Sequence, residues 1–168
     1  MTKGILFLGI SFFSFFLLAA ATGAATEDSV SCTVTVQNFA CALTTDGAVA
    51  YLTLTTSAVK DTCATGVDDS EELENTGNVN SDFDIKGSDS TSWTLAGAIG
   101  DETFMHRWCV TDCDGTPVWT AMTAGYVQIA TGVAAGGKQL FDMEMNTPSS
   151  TVNFTEQTTV TWLQCSAT

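Results

Sequence analysis

His106 is the only histidine in the chain, and imidazole is the commonest general base in enzymes. A hydrolytic triad would need this ring beside a nucleophile and oriented by a carboxylate. Phe104 and Trp108 stand two residues away on either side, so in a strand the three side chains share one face. No Gly-x-Ser-x-Gly, glycine-rich phosphate loop or His-Glu-x-x-His sequence occurs. The sequence therefore predicts a partly buried, hydrogen-bonded histidine among aromatic side chains, and a protein that is not an enzyme.

Paired carboxylates are a second possible source of chemistry. Asp82 and Asp84 flank Phe83 and lie on one face if this segment is a strand. A glycosidase needs two carboxyl groups at a fixed separation in a cleft. A chain with 19 acidic residues produces such pairs by chance. We therefore do not predict glycoside hydrolysis.

Calcium binding is the cofactor chemistry that the acidic residues favour. The spacing Asp112-x-Asp114-Gly115 resembles the beginning of an oxygen-ligand loop, and the acidic segment 68–74 offers further carboxylates. Asp112 and Asp114 are the candidate Ca²⁺ ligands. The alternative interpretation is a disulfide-stapled turn at Asp114-Gly115, because the other ligands of an EF-hand loop are absent.

The six cysteines are even in number, which in an exported chain predicts three disulfides. We expect Cys109 and Cys113 to pair and staple a hairpin, since the turn signal Asp114-Gly115 lies just beyond them. A zinc site would need a closed set of Cys and His ligands, which a single histidine does not favour. The cysteines are Cys32, Cys41, Cys63, Cys109, Cys113 and Cys165.

The N-terminal segment is typical of an export signal. Lys3 precedes an uncharged apolar run, residues 4–21, and small residues follow as far as Ala25. This order predicts a signal peptide over residues 1–25 and a secreted domain over residues 26–168. In an alternative interpretation, Lys3-Gly4 belongs to a type IV pilin leader that is cleaved after Gly4. The apolar run would then stay in the mature protein as an assembly helix.

The charge balance excludes two classes of partner. The formal net charge is −14, and removal of Lys3 with the signal peptide makes it −15. Phosphate backbones repel such a chain, so nucleic acid is not an expected partner. Anionic membrane surfaces are disfavoured for the same reason, and we expect no membrane association after signal cleavage.

Alternation of apolar and polar residues with a period of two dominates the rest of the chain. It occurs in residues 33–37, 49–55, 127–129, 140–145 and 159–163. Turn signals such as Asp46-Gly47 and Gly136-Gly137 separate these runs, while the acidic segment 67–76 is expected to be a loop that enters a strand. The pattern predicts an all-β fold, an antiparallel, disulfide-stapled β-sandwich of Ig-like or jelly-roll-like type. We expect the four tryptophans, Trp93, Trp108, Trp119 and Trp162, to pack in its core.

A resemblance rests on three stretches: residues 74–87, with the turn Asn75-Thr76-Gly77-Asn78, residues 92–95 and residues 137–142. Together with the final alternating run they resemble small secreted single-domain β-sandwich surface proteins of poorly characterised bacteria. More loosely, the chain is similar to biofilm-fibre subunits of the TasA/camelysin type. The resemblance implies a surface or matrix role and supplies no catalytic residues.

Taken together, these features predict a secreted, non-catalytic structural protein, a subunit of a matrix, surface layer or filament. Its expected partners are further copies or other surface proteins, joined by strand addition through residues 33–37. The alternative is an extracellular carbohydrate- or calcium-binding module, with polysaccharide or Ca²⁺ as the ligand.

Overall fold

The computed structural model describes residues 28–67, 69–111 and 113–168. The predicted signal peptide and the alternative processing after Gly4 lie outside the described residues, as does Asp112. The chain divides into two units, Met1–Val34 and Thr35–Thr168. In the first unit, residues 28–34 are exposed and form no helix or strand. The second unit contains the strands.

The strands are β1 Cys41–Leu43, β2 Val59–Asp61, β3 Glu71–Asn75, β4 Ser81–Lys86, β5 Thr94–Leu95, β6 Thr103–Cys109, β7 Thr120–Ala121, β8 Val127–Val133, β9 Lys138–Asn146 and β10 Trp162–Ala167. They form two sheets. The larger sheet has the order β1-β3-β9-β6-β5, with β2 also paired to β9 and β7 to β6, and the smaller one has the order β10-β4-β8. All pairs are antiparallel except β5 with β6.

The core lies between the two sheets. Phe83 and Ile85 of β4 are buried against Leu73 of β3 and Phe141 and Met143 of β9. Each strand contributes alternate side chains, as expected for sheets with one packed face and one solvated face. The prediction of an all-β antiparallel sandwich is confirmed, and the described residues contain no helix. Accordingly, no helix in the described part of the chain is long and apolar enough to cross a membrane.

Several predicted strands are confirmed and others are wrong. The runs at 127–129 and 140–145 lie in β8 and β9, and the final run is displaced toward the C-terminus, where β10 begins at Trp162. Residues 33–37 and 49–55 form no strand although they alternate. Alternation describes a surface with two different faces, but a strand also needs a neighbour to accept its backbone hydrogen bonds.

The acidic segment contains a strand, β3, where we expected mainly a loop. Leu73 faces the core, while Glu72 and Glu74 point to the opposite side. There Lys138 of the neighbouring strand β9 lies 2.5 Å from Glu72 and 3.8 Å from Glu74. This cation reduces the repulsion between the two carboxylates, which is the reason that so acidic a segment pairs in a sheet.

Two disulfides are present, and their pairing corrects the predicted one. Cys41 of β1 is bonded to Cys165 of β10, which joins the two sheets at their edges, and Cys63 is bonded to Cys113. The predicted Cys109–Cys113 pair is therefore wrong, and two disulfides form instead of the three expected, because Cys32 and Cys109 remain free thiols. Cys113 lies beside the loop of Cys63 because both loops are bonded to Asp142. The Asp142 carboxylate accepts hydrogen bonds from the backbone N–H of Cys113 at 3.2 Å and from the Thr62 hydroxyl at 2.8 Å. These two bonds hold the two loops side by side.

Candidate functional site

The segment 30–36, which we call the arm, exposes three valines at the spacing of a β-strand. Val30, Val34 and Val36 are 88%, 89% and 77% exposed. With Cys32 they occupy the even positions, whereas hydroxyl side chains occupy the odd positions. In a strand the arm would thus have one apolar and one polar face. Apolar side chains exposed at this spacing indicate a strand that lacks its partner.

The turn Asn75-Thr76-Gly77-Asn78 holds the C-terminal end of the arm. The Asn78 side chain accepts a hydrogen bond from the Asn38 N–H and donates one to the Val36 carbonyl, both at 2.8 Å. The Asn78 backbone N–H also donates to the Asn38 carbonyl at 3.1 Å. At Gly77 a Cβ atom would lie 2.2 Å from that carbonyl, so only glycine permits this close approach.

Asn75 connects the same turn to β8. Its buried side chain donates hydrogen bonds to the carbonyls of Val79 and Val133, each at 2.8 Å, and accepts one from the Gly77 N–H at 3.0 Å. All polar atoms of this buried amide are therefore engaged with the backbone around it. This turn, on which the resemblance to secreted β-sandwich proteins partly rests, thus fixes the end of the arm and the end of β8.

The outer edge of β8 is open. β8 pairs with β4, and no other strand of the described residues pairs with it. Asp82 of β4 holds β8 in place, since its carboxylate accepts hydrogen bonds from Thr131 and the Gly132 N–H at 2.8 Å and from Gln128 at 2.9 Å. The predicted shared face of Asp82 and Asp84 is confirmed. Asp82 thus contacts β8, and Asp84 accepts a hydrogen bond from Ser166 of β10 at 3.4 Å.

A cavity of about 1250 Å³ lies against the inner face of β6 and β9. Apolar side chains such as Phe141 and Met145 form much of its wall, and residues 49–56 and 153–161 line its other sides. His106 is 3% exposed there, and its Nε2 lies 3.0 Å from the Tyr51 hydroxyl. The predicted hydrogen bond of His106 is confirmed, and its side chain is more completely buried than expected.

Burial sets the protonation state of this pair. It lowers the pKa of His106 to about 4. Burial, and next the charge of Glu144, raise the pKa of Tyr51 above its ordinary value. Tyr51 therefore keeps its proton, His106 is neutral at pH 7, and one hydrogen bond joins the hydroxyl to Nε2. The other ring nitrogen, Nδ1, is buried and has no hydrogen-bond partner among the described residues.

Three carboxylates meet where β1 ends and β3 begins. The antiparallel pairing of Leu43 with Leu73 carries Asp46, at the turn after β1, toward Glu71 at the start of β3. One carboxylate oxygen from each of Asp46, Asp69 and Glu71 lies within 4.8 Å of the others. We call these three residues the acidic cluster. The sequence signals for it were the Asp46-Gly47 turn and the acidic segment 68–74, which only the strand pairing brings together.

The calcium ligands predicted from sequence do not form a described group. Asp112 lies outside the described residues, and Asp114 is exposed in the loop between β6 and β7. Another possible metal group contains Asp142 with Cys63 and Cys113. Because these two cysteines form a disulfide, their sulfurs are not thiolate ligands.

The tryptophans are distributed differently from the prediction. Trp108 is buried in the core, but Trp162 is 52% exposed. The Lys86 ammonium lies 4.5 Å from the ring centre of Tyr126 and 5.9 Å from that of Trp162. This is a cation–π arrangement at the surface.

Comparison with known proteins gives no family assignment. No family model, characterised protein or solved structure matches the chain. The geometry of the chain itself therefore carries the functional argument.

Cys32 and Cys109 are free thiols in the structure, and they should differ in reactivity. Cys32 is exposed, whereas Cys109 is buried and donates a hydrogen bond to the Thr111 carbonyl at 3.0 Å. Burial also raises the pKa of Cys109, which lowers its thiolate content further. We expect iodoacetamide at pH 8 to label one cysteine in native protein, two after unfolding and all six after reduction. Intact mass measures this directly, and protein that takes up no label after unfolding would instead contain three disulfides.

Proposed function

We propose that this protein is a secreted structural subunit that associates with further copies by strand addition. The observation that carries the proposal is the arm, whose three valines lie exposed on the spacing of a β-strand. In this scheme the arm of one copy pairs with the open edge of β8 in the next. Each copy both donates and accepts a strand, so the association is head-to-tail and extends into a chain.

Dimensions and apolar character favour β8 as the acceptor. The arm, residues 30–36, is as long as β8, Val127–Val133. Val127, Ala130 and Val133 of β8 are only partly buried and pack against the core. A strand added beside them would bring the valine face of the arm next to this partly covered apolar layer. The outer edge of β10 is a poorer acceptor, because Gln37 and Phe39 of its own chain lie near its C-terminal end.

The charge distribution supports the same pairing. Two copies that each carry a formal charge near −14 repel one another unless the surfaces that meet are neutral. No charged residue lies between Asp28 and Asp46, or between Asp114 and Lys138. The arm belongs to the first of these neutral stretches and β8 to the second. Acidic surfaces elsewhere would keep the assembled copies from associating laterally.

Export is part of the proposal and rests on the disulfides and the N-terminal segment. Disulfides persist in oxidising compartments, and Cys41–Cys165 and Cys63–Cys113 are both formed. The apolar run at residues 4–21 supplies the expected signal peptide. A surface or matrix role agrees with the resemblance to secreted sandwich proteins and fibre subunits.

Lysine substitutions on the two faces of the arm test this proposal. V30K/V34K alters the apolar face, and the matched control S31K/T33K adds the same charge to the polar face. All four side chains are exposed, so neither variant should change the folding of the sandwich. In the assembled state the added strand would bury Val30 and Val34. Their loss removes at least about 2 kcal/mol of association free energy, so we expect association to weaken at least about 30-fold in V30K/V34K. S31K/T33K should associate like the unaltered protein.

Sedimentation velocity over a range of concentrations, on the mature protein, measures the association. Equal behaviour of V30K/V34K and S31K/T33K would exclude strand addition through the valine face. Unaltered protein that stays monomeric, both at high concentration and in native surface material, would exclude the structural role itself.

A further inference from the structure

We propose that the acidic cluster of Asp46, Asp69 and Glu71 is a Ca²⁺ site. This site is distinct from the arm and does not depend on the proposed assembly. It also differs from the Asp112 and Asp114 loop that the sequence favoured. Its ligands come from the turn after β1, from the segment before β3 and from β3 itself.

Glu71 is the residue that points to a cation. It is 2% exposed, on the inward face of β3, where an unpaired carboxylate is costly. The Thr45 hydroxyl donates a hydrogen bond to its Oε2, whereas its Oε1 is buried and has no hydrogen-bond partner in the described part of the chain. No basic side chain forms an ion pair with it among the described residues. This buried oxygen has no hydrogen-bond donor, and two further carboxylates lie beside it. A bound cation would compensate the negative charge at this position.

The spacing of the oxygens suits calcium. Ca²⁺ binds oxygen ligands at 2.3–2.6 Å, so two ligands of one ion are separated by no more than about 5 Å. One oxygen from each of the three carboxylates falls inside that limit, since all lie within 4.8 Å of one another. Three carboxylates from a turn, from the segment before β3 and from β3 itself fit the flexible coordination of Ca²⁺ better than the strict octahedron of Mg²⁺.

The local structure keeps the three ligands in place. The Asp46 carboxylate accepts a hydrogen bond from the Ala48 N–H at 3.0 Å, which fixes the turn. The Asp69 N–H donates to the Thr62 carbonyl at 2.9 Å. Pairing of β3 with β1 and β9 fixes Glu71. An ion bound here would join the β1 turn to the start of β3, so it should stabilise the folded domain.

Thermal unfolding of chelator-treated protein, with CaCl₂ or with NaCl of equal ionic strength, tests the site. We expect CaCl₂ alone to raise Tm by about 5–10 °C at saturation. Calorimetric titration should give a dissociation constant between about 10 µM and 1 mM, the range of calcium sensors and extracellular modules.

Three single substitutions localise the effect. D46N alters an exposed ligand and should leave the fold intact, while E71Q preserves the shape of the buried ligand. Each should weaken Ca²⁺ binding at least about 10-fold. The control E74Q removes one charge from the opposite face of the same strand and should bind Ca²⁺ normally. Without calcium, E71Q should be at least as stable as the unaltered protein, because it buries no charge.

Two results would overturn the proposal. The first is a Tm that does not respond to 10 mM CaCl₂ beyond the NaCl control. The second is an equal response in the unaltered protein, D46N and E71Q, which would show general screening of an acidic surface.

Discussion

Replacement of both Cys41 and Cys165 with serine should lower the free energy of unfolding by about 5 kcal/mol. The two residues are separated by 124 positions, and a crosslink over so long a loop strongly reduces the entropy of the unfolded chain. The bond also joins β1 of the larger sheet to β10 of the smaller sheet. Its loss would therefore allow the two sheets to separate at that edge.

Urea denaturation followed by tryptophan fluorescence measures this difference. The control is C32S, which removes an exposed free thiol and should change stability by less than about 0.5 kcal/mol. If C41S/C165S unfolds at the same urea concentration as C32S, the Cys41–Cys165 bond does not stabilise the sandwich.

Acidification should cost the protein about 3 kcal/mol of stability through His106 alone. The native state keeps this imidazole neutral until the pH falls to about 4, because it is buried. In the unfolded chain the same group takes up a proton near its ordinary pKa of 6.5. Between these values the unfolded state binds more protons than the native state, so stability falls as the pH falls from 6.5 toward 4. A difference of about 2.5 units corresponds to about 3 kcal/mol.

H106Q isolates this contribution. The glutamine keeps an acceptor for the Tyr51 hydroxyl but does not titrate, so the variant should be less stable than the unaltered protein at pH 7 and should lose less stability on acidification. Glu71, which lines the same cavity, is present in both proteins and cancels in the comparison. Urea midpoints at pH 7, 5.5 and 4.5 give the two slopes. Identical slopes would mean that His106 takes up its proton in the native protein over the same pH range as in the unfolded chain.

The alternation of apolar and polar residues within single strands was sufficient to predict the fold class. In β6 the alternation placed Phe104, His106 and Trp108 together on the buried face, and the structure agrees. In β9 the alternation lies inside a longer strand. Such strands have one face against the core, so their period is visible without knowledge of the partner.

Features that depend on contacts between distant segments of the chain could not be predicted in this way. Residues 49–55 alternate like a strand but line a cavity, because no neighbouring strand accepts their hydrogen bonds in the described structure. The pairing of Cys113 with Cys63 depends on Asp142, which lies on a distant strand. Likewise the acidic cluster depends on the register that pairs Leu43 with Leu73. Contacts of this kind join residues that are far apart in the sequence. They follow from the packing of whole strands, so no local sequence pattern predicts them.

Hydrogen exchange followed by mass spectrometry tests strand addition most directly. Dilute mature protein is compared with concentrated, assembled protein, and the exchange of backbone amides in the arm and in β8 is measured. We predict that residues 30–36 and the edge strand Val127–Val133 both become protected on assembly, while the core strands β4 and β9 do not change. Assembled protein in which the arm exchanges as fast as in the dilute monomer would contradict the proposed strand addition.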